Sequence, residues 1–121
     1  MTIRRVVPNL PCRDVETTRN FYVTLLGFEV VMDMGWIVTV ASPNNATAQI
    51  SLSQGEAQVT GDDPYLTIEV GDVDDVHTAA VAAGQDLVLT LRNEPWGVRR
   101  FFTRDPDGRV INVMTQPGVS G

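Results

Sequence analysis

At 121 residues, with 43% apolar and 20% charged side chains, the chain suits one soluble globular domain. No run approaches the roughly 18 apolar residues of a membrane span. Nine Lys and Arg against fifteen Asp and Glu give a net charge of −6, which disfavours a nucleic-acid partner and favours a cationic small molecule. The lone Cys12 excludes an internal disulfide, and the N-terminal arginines lack the apolar stretch of a secretory signal, so the expected compartment is the cytoplasm.

In chain order, Ile3 to Leu10 reads as a strand rich in β-branched residues. Asp14 then suits a helix N-cap, since its carboxylate can accept first-turn N–H groups. Val15, Thr18, Tyr22 and Leu25 make one apolar stripe, and Gly27 suits a left-handed C-terminal cap. Strands are predicted at Glu29 to Asp33, Trp36 to Ala41 and Ala48 to Ser53, separated by Met34-Gly35 and Ser42-Pro43-Asn44-Asn45. Gln54 to Pro64 is a polar linker.

The plan then repeats. Tyr65 to Val70 is extended, Asp72 caps a helix whose stripe is Val73, Val76, Ala80 and Ala83, and Gly84 ends it. Strands follow at Leu87 to Arg92, Val98 to Arg104 and Arg109 to Thr115. The last two flank Asp105-Pro106-Asp107-Gly108, a tight turn in which Pro pre-sets φ and Gly admits positive φ. Gln116 to Gly121 reads as a frayed tail. The predicted fold class is α+β, with paired βαβββ modules forming curved mixed sheets around a cleft. The chain is then a single domain with modules at 1–53 and 65–115 and a linker at 54–64. One helix covers one face of such a sheet. The other face needs a partner, supplied by pairing of the halves within one chain or by exchange between two, and the concave space so formed suits a small molecule.

Asp14-Val15, Asn20-Phe21-Tyr22, Leu25-Leu26-Gly27-Phe28, Val70-Gly71-Asp72-Val73, Ala83-Gly84 and Arg104-Asp105-Pro106-Asp107-Gly108 occur in an order that resembles the vicinal oxygen chelate superfamily, the glyoxalase, bleomycin resistance and extradiol dioxygenase group. The resemblance spans nearly the whole chain and implies the paired βαβββ fold, commonly a homodimer. Carried over onto this sequence, the metal-ligand positions of the metal-dependent members land on Val7, Ser51, Tyr65 and Asn112. Val7 has no donor atom, Ser51 and Asn112 offer neutral oxygens, and Tyr65 would have to lose a proton of pKa about 10. No metal and no cofactor is therefore expected. The resemblance then runs to the metal-free, bleomycin resistance-like branch, where Trp96 of Pro95-Trp96-Gly97 would stack on a flat part of a drug; the alternative is a core tryptophan.

Strand alternation places Asn9, Thr67, Glu69, Val110 and Met114 on the same faces as Val7, Tyr65 and Asn112. Glu69 would pair with a protein cation such as Arg100 or await one from a ligand. Trp36 and Phe102 would extend an aromatic lining or serve the core, and Met32, Met34 and Met114 a soft wall or core filling. His77 reads as a solvated helix residue, and Cys12 stands before a helix start with no histidine beside it in sequence.

The functional expectation is a cytoplasmic, homodimeric, metal-independent protein that sequesters a cationic, aromatic, antibiotic-like molecule. The expected cleft is lined by Trp36, Tyr65, Glu69, Trp96, Arg100, Phe102 and Asn112, with no nucleic acid or membrane as partner. Two rivals stay open. One is a metal-free enzyme (isomerase, lyase or cyclase) using Glu69 or Tyr65 as acid and base, and the other is a structural dimer whose cleft is filled by its own side chains.

Overall fold

The computed structural model describes residues 1–57, 59 and 61–116 and comprises two compact units, Met1–Gln58 and Val59–Gly121. Each is a mixed four-stranded sheet with one helical segment, an α+β architecture.

In the first unit β1 (Asn9–Cys12) leads through α1 (Val15–Asn20) and a π-helical stretch (Phe21–Leu25) into β2 (Glu29–Asp33), β3 (Ile37–Ser42) and β4 (Asn45–Gln54). The sheet order is β1-β4-β3-β2, with β1 parallel to β4 and the other pairs antiparallel. Asp14 caps α1 as its sequence position predicts, accepting the Glu16 N–H at 3.2 Å, while the Gln54 side chain accepts the Val15 N–H at 3.1 Å. Val15, Thr18, Phe21 and Tyr22 are buried together with Leu10, Val38, Val40, Ile50 and Leu52. Gly27, at φ +82°, closes the helical segment.

Two local expectations change here. The predicted α-helix turns π-helical after Asn20, and this wider turn accompanies the burial of two successive aromatic residues, Phe21 and Tyr22, packed edge to face at 5.1 Å. The predicted strand over Ile3 to Leu10 is also displaced. The ladder runs only over Asn9–Cys12, preceded by one isolated bridge from Val6 to Ala48. Pro8 has no N–H to give, although its carbonyl still accepts the Ser51 N–H at 2.9 Å.

The second unit has β5 (Pro64–Glu69), α2 (Val73–Ala82), β6 (Leu87–Asn93), β7 (Arg99–Arg104) and β8 (Val110–Thr115), in the order β5-β8-β7-β6. This reproduces the topology of the first sheet. Asp72 caps α2 by accepting the Asp74 and Asp75 N–H groups at 3.0 and 3.3 Å. Val73 and Ala80 are buried, as are Phe101, Ile111 and Val113. His77 is half-buried and meets Phe101 edge to face at 5.3 Å, so it packs against the core rather than standing in solvent as predicted.

The turn between β7 and β8 forms as its sequence predicts, with Gly108 at φ +91° donating to the Asp105 carbonyl at 2.9 Å. It is also ionic and buried. Arg109 is 1% exposed and places its Nη1 2.9 Å from Asp105 Oδ2 and 3.6 Å from Asp107 Oδ2. The expected tail after Gln116, and Gln58 and Thr60 of the linker, lie outside the described residues. Among the described residues no helix is long and apolar enough to cross a membrane.

Candidate functional site

The first sheet turns Val38 and Val40 towards the buried side, and the residue between them, Thr39, faces the other way. There it lines a cavity of about 500 Å³ with Arg5, Val7, Asn9, Val31, Met32, Gln49 and Ser51. Strand pairing explains the grouping, because Thr39 stands opposite Ser51 and Met32, and Asn9 stands opposite Ser51. A register shift between Val30 and Met32 puts a bulge at Val31, so two successive side chains of β2 reach the cavity. The hydroxyls of Thr39 and Ser51 share a 2.8 Å hydrogen bond, and Arg5 Nη1 donates to Gln49 Oε1 at 2.6 Å.

Of the lining residues, alternation and the carried-over positions anticipated Val7, Asn9 and Ser51, and Met32 was expected as soft wall. Arg5, Val31, Thr39 and Gln49 were missed. The signal available for Thr39 was a hydroxyl inside the apolar run from Trp36 to Ala41. Trp36 itself precedes β3, is 59% exposed and does not line this cavity.

In the second unit Pro95-Trp96-Gly97 forms the hairpin loop between β6 and β7. The Gly97 N–H reaches the Glu94 carbonyl at 3.1 Å and the Glu94 N–H reaches the Val98 carbonyl at 2.7 Å. Gly97 sits at φ +102°, the left-handed position such a loop requires. The loop lifts Trp96 to 65% exposure, so it is not a core residue. Beneath it the Arg100 guanidinium carbon lies 5.1 Å from the Trp96 ring centre and 4.8 Å from that of Phe102, within cation–π range of both. Glu94, nearly fully buried, holds Arg100 Nη2 at 3.0 Å and Arg92 Nε at 2.6 Å.

Arg100 thus pairs with Glu94 and not with Glu69, which is exposed on β5, with β8 lying between β5 and β7. Tyr65 falls at a register shift between Pro64 and Leu66 and is 51% exposed, so Thr67 is the residue paired with Asn112. Asn112, 9% exposed, donates from Nδ2 to Thr67 Oγ1 at 3.2 Å and stands opposite Phe102. Among the described residues its Oδ1 and the Nε of Arg100 are both buried without a hydrogen-bond partner. Each such group costs about 1–3 kcal/mol, and the two stand on adjacent strands, with Arg100 beside the exposed indole.

The basic residues that cluster in sequence are each committed to carboxylates: Arg99 to Asp74, Arg100 to Glu94, Arg104 to Asp62 and Asp86, and Arg109 to Asp105 and Asp107. Arg99 holds the Asp74 carboxyl below the usual carboxylate range, chiefly through their hydrogen bond. Cys12 is fully buried, its thiol 3.3 Å from the Leu10 carbonyl oxygen, which suits a structural role and not a nucleophile.

The positions carried over from metal-dependent relatives do not fit a divalent ion. Val7 brings no donor, the Ser51 hydroxyl is engaged by Thr39, Tyr65 is an exposed phenol, and Asn112 contributes one neutral oxygen. Among the described residues no three or more His, Cys, Asp or Glu side chains come together as a metal site would require.

Comparison with solved structures gives the same fold throughout. TnmS3, an antibiotic binding protein from Streptomyces sp. CB03234, superposes with a TM-score of 0.79 at 26% identity over 96% of this chain and 98% of its own. TioX from Micromonospora sp. ML1 gives 0.76 at 19% identity over 94% and 99%. Lactoylglutathione lyase from Agrobacterium tumefaciens gives 0.71 at 17% identity over 95% and 96%, so the fold alone is shared by a binding protein and an enzyme. No curated protein matches the chain significantly. With residues 2–113 matching its profile, the chain belongs to the Glyoxalase/Bleomycin resistance protein/Dioxygenase superfamily.

Proposed function

We propose that the protein binds an antibiotic-like small molecule without transforming it and acts by sequestration, as a metal-independent, cytoplasmic homodimer whose modules belong to one domain. The observation that carries this reading is the exposed Trp96 beside Arg100, whose guanidinium also lies against Phe102, the residue paired with Asn112; among the described residues Arg100 Nε and Asn112 Oδ1 are buried without a hydrogen-bond partner. An indole offers a large rigid face at low entropic cost, worth about 0.5–1.5 kcal/mol in stacking beyond its burial. The 26% identity with an antibiotic binding protein supports it further. Assembly as a homodimer would cover the open sheet face of each unit.

The chain contains two tryptophans, Trp36 and Trp96, so intrinsic fluorescence reports on the loop once the Trp36 signal is separated with the Trp96→Ala variant. Titration with a panel of aromatic and glycopeptide antibiotics should give saturable quenching at micromolar concentration, lost in Trp96→Ala. No quenching, together with turnover of a small carbonyl substrate that Glu69→Gln or Tyr65→Phe abolishes, would establish the metal-free enzyme instead.

A further inference from the structure

The net charge of −6 suggests a cationic guest, but the charges around the exposed indole suggest the reverse. The Trp96 and Phe102 rings already face a cation, since the Arg100 guanidinium lies 5.1 and 4.8 Å from their centres. A second cation brought to the same rings would meet that guanidinium and compete for the same electron-rich faces. Among the described residues Glu94 is the carboxylate paired in this cluster, and it is shared between Arg92 and Arg100, two positive groups against one negative. Glu69, the other acid on this side of the sheet, stands on β5, two strands away from β7.

The unpartnered atoms agree with the charge. Among the described residues Arg100 Nε is a buried cationic donor without an acceptor, and Asn112 Oδ1, one strand over, is a buried acceptor without a donor. In the first unit, considered by itself, Arg5 is the charged residue among the described residues that line the cavity, and none of these carries a carboxylate.

Resting on the small-molecule reading above, we propose that the guest of the second unit is a planar aromatic acid. Its ring lies against Trp96, its carboxylate or phenolate oxygen takes the Nε–H of Arg100, and an adjacent hydroxyl or N–H donates to Asn112 Oδ1. Charge-assisted hydrogen bonds of this kind are about twice as strong as neutral ones, so charge and not ring area sets the preference.

Three probes of equal ring size separate the possibilities: 2-naphthoate, 2-naphthamide and 2-naphthylmethylammonium, titrated calorimetrically into the full chain at low salt. Naphthoate should bind at least about tenfold more tightly than the ammonium, with the gap narrowing as salt rises. Arg100→Gln, its folding checked by circular dichroism, should reduce naphthoate to the level of naphthamide. Trp96→Ala, on an exposed loop, should weaken all three. Equal binding of the three probes, or a preference for the ammonium, overturns the acidic guest while leaving small-molecule binding intact. A naphthoate preference that survives in Arg100→Gln removes the role given to that residue. Absence of heat with every probe overturns both this proposal and the placement of the binding face at Trp96.

Discussion

The two units share one topology but stabilise it and equip it differently. On the open side of its sheet the first relies on polar contacts without a carboxylate, the Thr39–Ser51 hydroxyl pair and the hydrogen bond from the Arg5 guanidinium to Gln49, around an open cavity. The second relies on ions: four arginines from β7 and the turn after it are each held by a carboxylate, and the pair between Arg109 and Asp105 is fully buried. A repeated backbone plan therefore leaves side-chain chemistry free to diverge, and the arginine-rich half is the one held by ion pairs.

The contrast is broken most strongly at the turn between β7 and β8. Arg109→Ala would leave Asp105 and Asp107 buried without their cation, and unfolding in urea should show a loss of about 3–5 kcal/mol. The neutral counterpart in the first unit should respond less. Thr39→Val strands the Ser51 hydroxyl and should cost about 1–3 kcal/mol, whereas the double variant Thr39→Val/Ser51→Ala should recover most of that loss, because no polar group is then left unpaired. A double variant as unstable as the single one would show that the hydroxyl pair is not what supports this face.

The smallest effect belongs to the exposed pair between Arg99 and Asp74. Because the folded-state pKa of Asp74 is depressed, its contribution to stability is present above the unfolded-state pKa and is lost as pH falls through the folded value. Carboxyl chemical shifts followed by NMR should show Asp74 titrating below the usual range, and Arg99→Gln should return it there. An unchanged midpoint in that variant would mean that another group sets the shift.

Much of the frame is legible in the sequence. Asp14 and Asp72 cap the helices, Gly27 and Gly84 take left-handed φ at their ends, and Asp105 to Gly108 turn, because each rests on chemistry within a few residues. Features that depend on distant partners were not legible. The π-helical stretch over Phe21–Leu25 goes with the packing of consecutive aromatics, and no local periodicity announces it. The bulge at Val31 is visible only against β3. The same holds for the site. Trp96 in a Pro-Trp-Gly loop could be seen, but the partner of Arg100 is Glu94, six residues away across a hairpin, and strand alternation directed attention to Glu69 instead.

Glu94 performs two tasks at once: its main chain closes the loop on both sides, and its carboxylate seats Arg100 under the ring that the loop displays. The displayed ring is thereby separated from the ladder that sustains the sheet. Pro95 and Trp96 can be exchanged, or the loop lengthened, at small conformational expense while Glu94 keeps its arginine in place. Such a hairpin tip is a natural address for retuning specificity, and a variant that keeps Trp96 carries an optical reporter of its own.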